Sequence, residues 1–196
     1  MRAEKRHKRD RFWLDVHTCF VLPAYTLLFA GGNAWHQTNF SVLAVKGETY
    51  YYGFLGWGLL AGGFFLVMAI RLTATLSSCR LRRGLYRLTA VACTCLVYGL
   101  AIPYLPALAP RYARLHVELI FGSCVFMMAD LLVVLLACWR EDRARYRPLL
   151  MCWGGIAGGS GLLFALFGMV SSVLEIFFTL SAALLVRAMW LRRVKE

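Results

Sequence analysis

Long apolar runs separated by short polar stretches make up most of this chain. A membrane-spanning helix needs about 20 apolar residues, because each residue adds 1.5 Å and the hydrocarbon core is about 30 Å thick. Six runs reach this length, and they predict spans at residues 12–30, 52–70, 88–105, 116–139, 149–170 and 171–190. The pattern therefore predicts an all-α, polytopic membrane protein in which residues 1–196 form a single six-helix transmembrane bundle.

The last two spans come from one apolar stretch that has no charged break before Glu175. A straight helix over residues 149–190 would be about 60 Å long, which is twice the thickness of the hydrocarbon core. The stretch must therefore fold back on itself, and the glycine and serine residues at 168–172 predict the turn.

Basic residues lie in four clusters, which contain six residues at 2–11, five at 71–87, four at 140–147 and four at 187–195. These clusters hold 19 of the 22 Lys and Arg residues, and they lie at the two ends of the sequence and in every second connection between the predicted spans. Lys and Arg accumulate on the cytoplasmic side of membrane proteins. The distribution therefore predicts that both termini are cytoplasmic, which also requires an even number of spans.

Composition supports a membrane environment, since 60% of the residues are hydrophobic, 16% are charged and the mean hydropathy is +0.62. Soluble domains have about 45–50% apolar and about 25% charged residues. The net charge of +12 would suggest a nucleic-acid partner in a soluble protein, but here the charges flank apolar runs and indicate topology instead. We expect the plasma membrane in a bacterium or an endomembrane in a eukaryote, and no nucleic-acid partner.

The N-terminal cluster predicts one further contact with the membrane. Several basic residues beside a bilayer attract anionic lipid. The residues concerned are Arg2, Lys5, Arg6, Lys8, Arg9 and Arg11.

The seven cysteines show no CxxC spacing, and all but Cys79 lie inside apolar runs. This arrangement disfavours a disulfide framework or a zinc site. No cofactor-binding motif is present either. The sequence therefore predicts neither a metal nor a cofactor.

Polar groups from three distant parts of the chain fall on one predicted membrane face, opposite to the termini. They are His36, Asn39 and Ser41 in the loop before the second span, His116 and Glu118 at the start of the fourth, and Glu175 in the sixth. A carboxylate in the membrane needs a partner or a proton. We expect His116 or His36 to be the partner of Glu175, so that these groups form a polar pocket. The alternative is that they only cap helix ends and hold the loop down.

Two acidic residues lie inside predicted spans. Asp130 is deep in the fourth span, where we expect it to pair with a hydroxyl group or with Arg140. Asp15 lies with His17 at the inner end of the first span, where we expect the pair to reach either the membrane interface or Arg11.

A Gly-x-Ser-Gly segment in the fifth span, around Ser160, looks like the nucleophile turn of rhomboid intramembrane proteases. Those enzymes use a histidine from a later span to activate the serine. No histidine follows Ser160 in this chain, so we interpret it as a small packing residue.

Several short motifs resemble the damage-regulated autophagy modulator family, which includes proteins that remodel GPI-anchor lipids. The loop carries Asn39-Phe40-Ser41 followed by Glu48 before the second span, His116 opens the fourth span, and Glu175 follows Ser171-Ser172. The segment 31–41 is also similar to bacterial six-span proteins of the same plan. The resemblance implies a role at the lipid bilayer.

Two kinds of function remain open. The first is a membrane protein that recognises or organises lipid through the polar pocket at the outer face, with an unidentified protein partner as a further option. The second is a lipid-modifying hydrolase or acyl-transfer enzyme that uses His36, His116, Glu118 and Glu175. A transporter or channel is a weaker third, because no span resembles a broken helix facing paired charges near the midplane.

Overall fold

The computed structural model describes residues 2–193, and it describes side chains from residue 9 onward. These residues form helices and connecting turns, with no β-strand. The first helix, α1 (Arg2–Val16), continues through a π-helical turn (His17–Val21) into α2 (Leu22–Ala30). The remaining helices are α3 (Phe40–Ala44), α4 (Glu48–Ala74), α5 (Cys79–Ala101), α6 (Pro110–Glu141), α7 (Arg143–Phe167) and α8 (Ser172–Arg193).

Six of these segments are long and apolar enough to cross a membrane. The first is the continuous stretch Arg9–Ala30, and the others are α4, α5, α6, α7 and α8. The prediction of an all-helical protein with six membrane-length helices is thus confirmed. The turn between the last two lies at residues 168–171, where the unbroken apolar stretch was expected to fold back.

The helices extend beyond the apolar runs that predicted them. The third span was predicted at 88–105, but α5 begins at Cys79 and ends at Ala101, so it includes most of the basic residues assigned to the preceding connection. Hydropathy detects only the part of a helix that suits hydrocarbon, whereas arginine is a good helix former whose long side chain reaches polar surroundings. The longest helix, α6, has 32 residues, or about 48 Å, and therefore exceeds the hydrocarbon core.

Local residues fix where several helices begin and end. The Asn39 side chain accepts a hydrogen bond of 2.8 Å from Val42 N and caps α3, and Asp142 accepts one of 3.0 Å from Arg145 N at the start of α7. Such caps satisfy N–H groups that lack a partner within the helix. Gly168 ends α7 with φ +66°. Glycine adopts this left-handed conformation readily because it has no Cβ atom.

The bundle has two distinct ends. At one, which we call the terminal end, the Arg193 guanidinium reaches the Glu141 carboxylate and donates to the backbone oxygen of Thr75 at 3.0 Å. At the other, the site end, Phe40 of α3 lies beside Glu175 of α8. The chain enters and leaves the bundle at the terminal end, as six antiparallel crossings require.

Buried side chains form two clusters, one in the middle and terminal half of the bundle and one at the site end. The larger cluster includes Leu72, Leu131, Leu135 and Val186. The smaller one surrounds Phe40, whose fully buried ring makes edge contacts with Phe29 and Trp57 at centroid distances of 5.2 and 4.7 Å. Large apolar side chains also cover the outer surface, as expected where lipid replaces water; examples are Phe20, Leu28, Leu59, Met151, Leu162 and Leu166.

Candidate functional site

The loop between the first two spans is folded onto the start of α8. The backbone oxygen of Thr38 accepts hydrogen bonds from Ser172 N at 2.6 Å and Ser172 Oγ at 3.0 Å, and Trp35 O accepts one from Val173 N at 3.2 Å. The first N–H groups of α8 thus obtain acceptors that the helix itself cannot supply. These bonds place the loop residues 38–41 next to the first turn of α8.

Glu175 adds a side-chain bond to the same junction. Its Oε2 atom accepts a hydrogen bond of 2.7 Å from the backbone N–H of Phe40, the first residue of α3. This bond positions α3, and with it Ser41, relative to the first turn of α8.

His116 forms the second polar link of the site. Its Nε2 atom lies 2.7 Å from Ser41 Oγ, and its Nδ1 atom lies 2.7 Å from the backbone oxygen of Ile102. A carbonyl oxygen can only accept, so Nδ1 carries the proton and donates to Ile102. In the neutral ring Nε2 is then an acceptor, and the Ser41 hydroxyl donates to it.

The expected pairing of Glu175 with a histidine is wrong. Among the residues with described side chains, Glu175 binds the Phe40 N–H, while both nitrogens of His116 are used by Ser41 and Ile102. His36 is exposed in the loop and has no described contact with either group. The backbone of the loop, which a sequence pattern of side chains does not reveal, supplies the partner instead.

Glu118 also lies outside the cluster. It is exposed, whereas His116, two residues earlier in α6, is almost fully buried. Two residues correspond to a rotation of about 200° around a helix, so the two side chains point in opposite directions. Of the six predicted site residues, the structure brings together Asn39, Ser41, His116 and Glu175.

These four residues line one end of a cavity of about 550 Å³. Ligand sites in proteins commonly have volumes of about 300–1,000 Å³. The cavity runs between α4, α6, α7 and α8, and along α6 its lining extends from His116 to Leu132. At 1.5 Å per residue this is about 24 Å, most of the depth of a hydrocarbon core.

The cavity has a polar end and an apolar body. Tyr104, which the sequence did not single out, joins the polar end and packs against the His116 ring at a centroid distance of 5.8 Å. The body is lined mainly by apolar side chains, among them Trp57, Phe65, Leu96, Phe121, Met128, Leu132, Trp153, Phe164 and Phe178. No Lys or Arg belongs to the described lining. The cavity thus combines hydrogen-bonding groups at one end with a long apolar wall.

Ser160 lies farther along the same cavity. Its Oγ atom is buried and has no hydrogen-bond partner among the described residues. The Gly-x-Ser-Gly segment thus places a serine in the cavity wall but provides no base for it.

The two acids inside other spans have separate partners. Asp130 is fully buried and accepts a bond of 3.3 Å from Thr89 Oγ1, so the expected hydroxyl partner is found on α5. Asp15 pairs with Arg187 at 2.7 Å and, at 3.9 Å, with the expected Arg11. Sequence analysis missed Arg187 because it is 172 residues away. These contacts join helices and do not reach the cavity.

The structure shows no metal-binding cluster: in the described part of the chain, no three His, Cys, Asp or Glu side chains come together as ligands. The cysteines there are all free thiols.

The suspected relationship to the damage-regulated autophagy modulator family stays a prediction. Comparison of the chain with protein-family models, with curated proteins and with solved structures finds no match.

Proposed function

We propose that this chain is a multi-pass membrane protein that binds an acyl lipid, with the acyl chain in the cavity body and the headgroup at Asn39, Ser41, His116 and Glu175. The observation that supports this most directly is the cavity itself, which has polar groups at one end and about 24 Å of mostly apolar wall. Lipid is the most abundant apolar molecule around a membrane protein, so it is the first ligand to expect in an apolar cavity.

The charge of the polar end favours a particular class of headgroup. The lining contains the Glu175 carboxylate and, among described residues, no Lys or Arg. A phosphate monoester would find no cation among the described lining residues to balance its charge. The site therefore suits a neutral lipid with hydroxyl groups, or a lipid with an amine, better than a strongly anionic one.

The sorting of Lys and Arg assigns the terminal end to the cytoplasm. With that orientation the polar end of the cavity opens toward the outer leaflet. Lipid would thus enter from the leaflet opposite the cytoplasm, which makes the loop at 31–47 a part of the entrance.

A cavity-filling variant tests the proposal. Gly161 lines the cavity and has no atom within 4 Å of the position that a Cβ atom would take, so Gly161→Leu places a side chain into open space there. Gly154→Leu is the matched control, since Gly154 lies on the same helix with equally open surroundings but does not line the cavity. Both proteins are purified in mild detergent, and retained lipid is measured by native mass spectrometry.

We expect the original chain and Gly154→Leu to retain acyl lipid, and Gly161→Leu to retain at least about tenfold less, the equivalent of 1.4 kcal/mol. Equal retention by all three proteins would contradict binding in this cavity. Glu175→Gln tests the headgroup end separately: it should reduce retention of amine-bearing lipid while leaving the protein monodisperse.

A further inference from the structure

Ser41 and His116 have the arrangement of a nucleophile and its general base. The Ser41 hydroxyl donates to His116 Nε2 over 2.7 Å, within the range of about 2.6–3.2 Å expected of such a pair. The Ile102 carbonyl accepts from Nδ1 and fixes the tautomer in which Nε2 is free to take a proton. This carbonyl fills the orienting role that a carboxylate has in a Ser-His-Asp triad.

We propose that Ser41 and His116 cleave the carboxylic ester of the acyl lipid that the cavity binds, so that the chain is a serine acyl hydrolase. This inference rests on the proposed lipid binding. It assigns the chemistry to residues on two different segments, the five-residue helix α3 and the start of α6, neither of which carries a recognised nucleophile motif.

The position of Ser41 in the cavity favours an ester as the substrate. In an acyl lipid, the ester lies where the apolar chain meets the polar headgroup. Ser41 and His116 belong to the polar end of the cavity, which adjoins the apolar body. An acyl chain inserted along α6 would therefore place its ester near the Ser41 hydroxyl.

The reaction proceeds in two balanced steps. Ser41 Oγ attacks the ester carbonyl carbon while His116 Nε2 takes the hydroxyl proton; the bond from that carbon to the alcohol oxygen then breaks, and His116 returns the proton to the leaving alcohol. Water next attacks the Ser41 ester with His116 again as the base. This releases a fatty acid and restores both residues, so ester plus water gives acid plus alcohol.

Asn39 supplies a donor for the negative charge that develops on the carbonyl oxygen. Its Oδ1 atom is held by the Val42 N–H, which leaves the side-chain NH₂ group for a ligand in the cavity. Removal of one such donor typically reduces the rate by about 10²–10³-fold. Aspartate caps a helix as well as asparagine does but has no N–H to give, so Asn39→Asp separates the two roles.

Ser160 provides an internal comparison because it lines the same cavity without a base. A fluorophosphonate with a long alkyl chain should enter the cavity and react with an activated serine. The purified full-length chain is treated with this probe, and the labelled residue is identified by peptide mass spectrometry. In parallel, release of oleate from monooleoylglycerol is measured.

We expect label on Ser41 and none on Ser160. Label and oleate release should fall at least about 100-fold in Ser41→Ala and in His116→Gln, because a general base contributes about 10²–10⁴-fold. Asn39→Asp should reduce oleate release by about 10²-fold. The exposed Ser77, at the terminal end, gives the control Ser77→Ala with unchanged activity.

Absence of label on Ser41 in the unsubstituted chain, or oleate release that survives in Ser41→Ala, would overturn the hydrolase proposal. Native mass spectrometry of Ser41→Ala, which keeps the cavity but cannot cleave the ester, distinguishes this failure from failure of lipid binding. Lipid retained by Ser41→Ala, with no label on Ser41 of the unsubstituted chain, refutes only the catalytic role, whereas no lipid retained by Ser41→Ala refutes both.

Discussion

Glu175, in the first turn of α8, accepts a hydrogen bond of 2.7 Å from the backbone N–H of Phe40, which lies 135 positions earlier in the chain. The bond connects the last membrane helix to the loop between the first two. Because Phe40 precedes Ser41 directly, the same bond places Ser41 next to the first turn of α8.

Glu175→Ala should destabilise the protein by about 1–3 kcal/mol, because the Phe40 N–H loses its acceptor in a largely buried position. Glu175→Gln keeps an acceptor oxygen and should cost less than about 1 kcal/mol. Thermal unfolding in detergent measures both effects. The exposed Glu118 gives the control Glu118→Ala, expected to change stability by less than about 0.5 kcal/mol. Equal effects at 175 and 118 would show that the bond to Phe40 does not form.

Gly99→Ala should destabilise the contact between α5 and α6. A Cβ atom at residue 99 would lie 2.7 Å from Ile120 Cδ1 and 3.3 Å from the Ile120 backbone nitrogen. The Ile120 side chain and the backbone of α6 would both have to move. Overpacking of this kind costs about 1–3 kcal/mol. The same thermal unfolding assay applies.

The matched control for this prediction is Gly154→Ala. No atom lies within 4 Å of the added Cβ there, and alanine is the better helix former, so stability should rise by up to about 1 kcal/mol. A destabilisation of equal size at both glycines would contradict this account, because the added Cβ at residue 154 meets no atom and alanine favours the helix.

The proposed orientation predicts that residues 46 and 143 lie on opposite sides of the membrane. Lys46→Cys, in the loop at the site end, should react with an impermeant thiol reagent added outside intact cells, and Arg143→Cys at the terminal end should react only after permeabilisation. The unsubstituted chain gives the background from its own cysteines. Labelling of both positions from the same side would refute the topology.

The N-terminal basic cluster should bind anionic lipid. The side chains of Arg2, Lys5, Arg6 and Lys8 lie outside the described residues, so this prediction rests on charge alone. Each basic residue near an anionic surface contributes about 1 kcal/mol, and salt screens the attraction. A peptide of residues 1–11 should bind vesicles containing phosphatidylserine and dissociate as salt rises. Equal binding to uncharged vesicles would contradict an electrostatic origin.

The site could be predicted only in part from the sequence. Chain order and the positive-inside rule indicate which end of the bundle a residue occupies, and this correctly grouped Asn39, Ser41, His116 and Glu175. They do not indicate the direction of a side chain around its helix. Glu118 was therefore included, although it faces away from His116.

The sequence by itself determined the number and approximate position of the membrane helices, because the thickness of the hydrocarbon core sets how many consecutive apolar residues a crossing needs. It also determined that 19 of 22 basic residues fall on one predicted side. Only the tertiary structure decided which polar groups meet. Ser41 and His116 are 75 residues apart, and Glu175 binds a backbone N–H that no side-chain pattern reveals. The cavity likewise depends on how several helices are placed relative to one another. No single segment of the sequence reveals it.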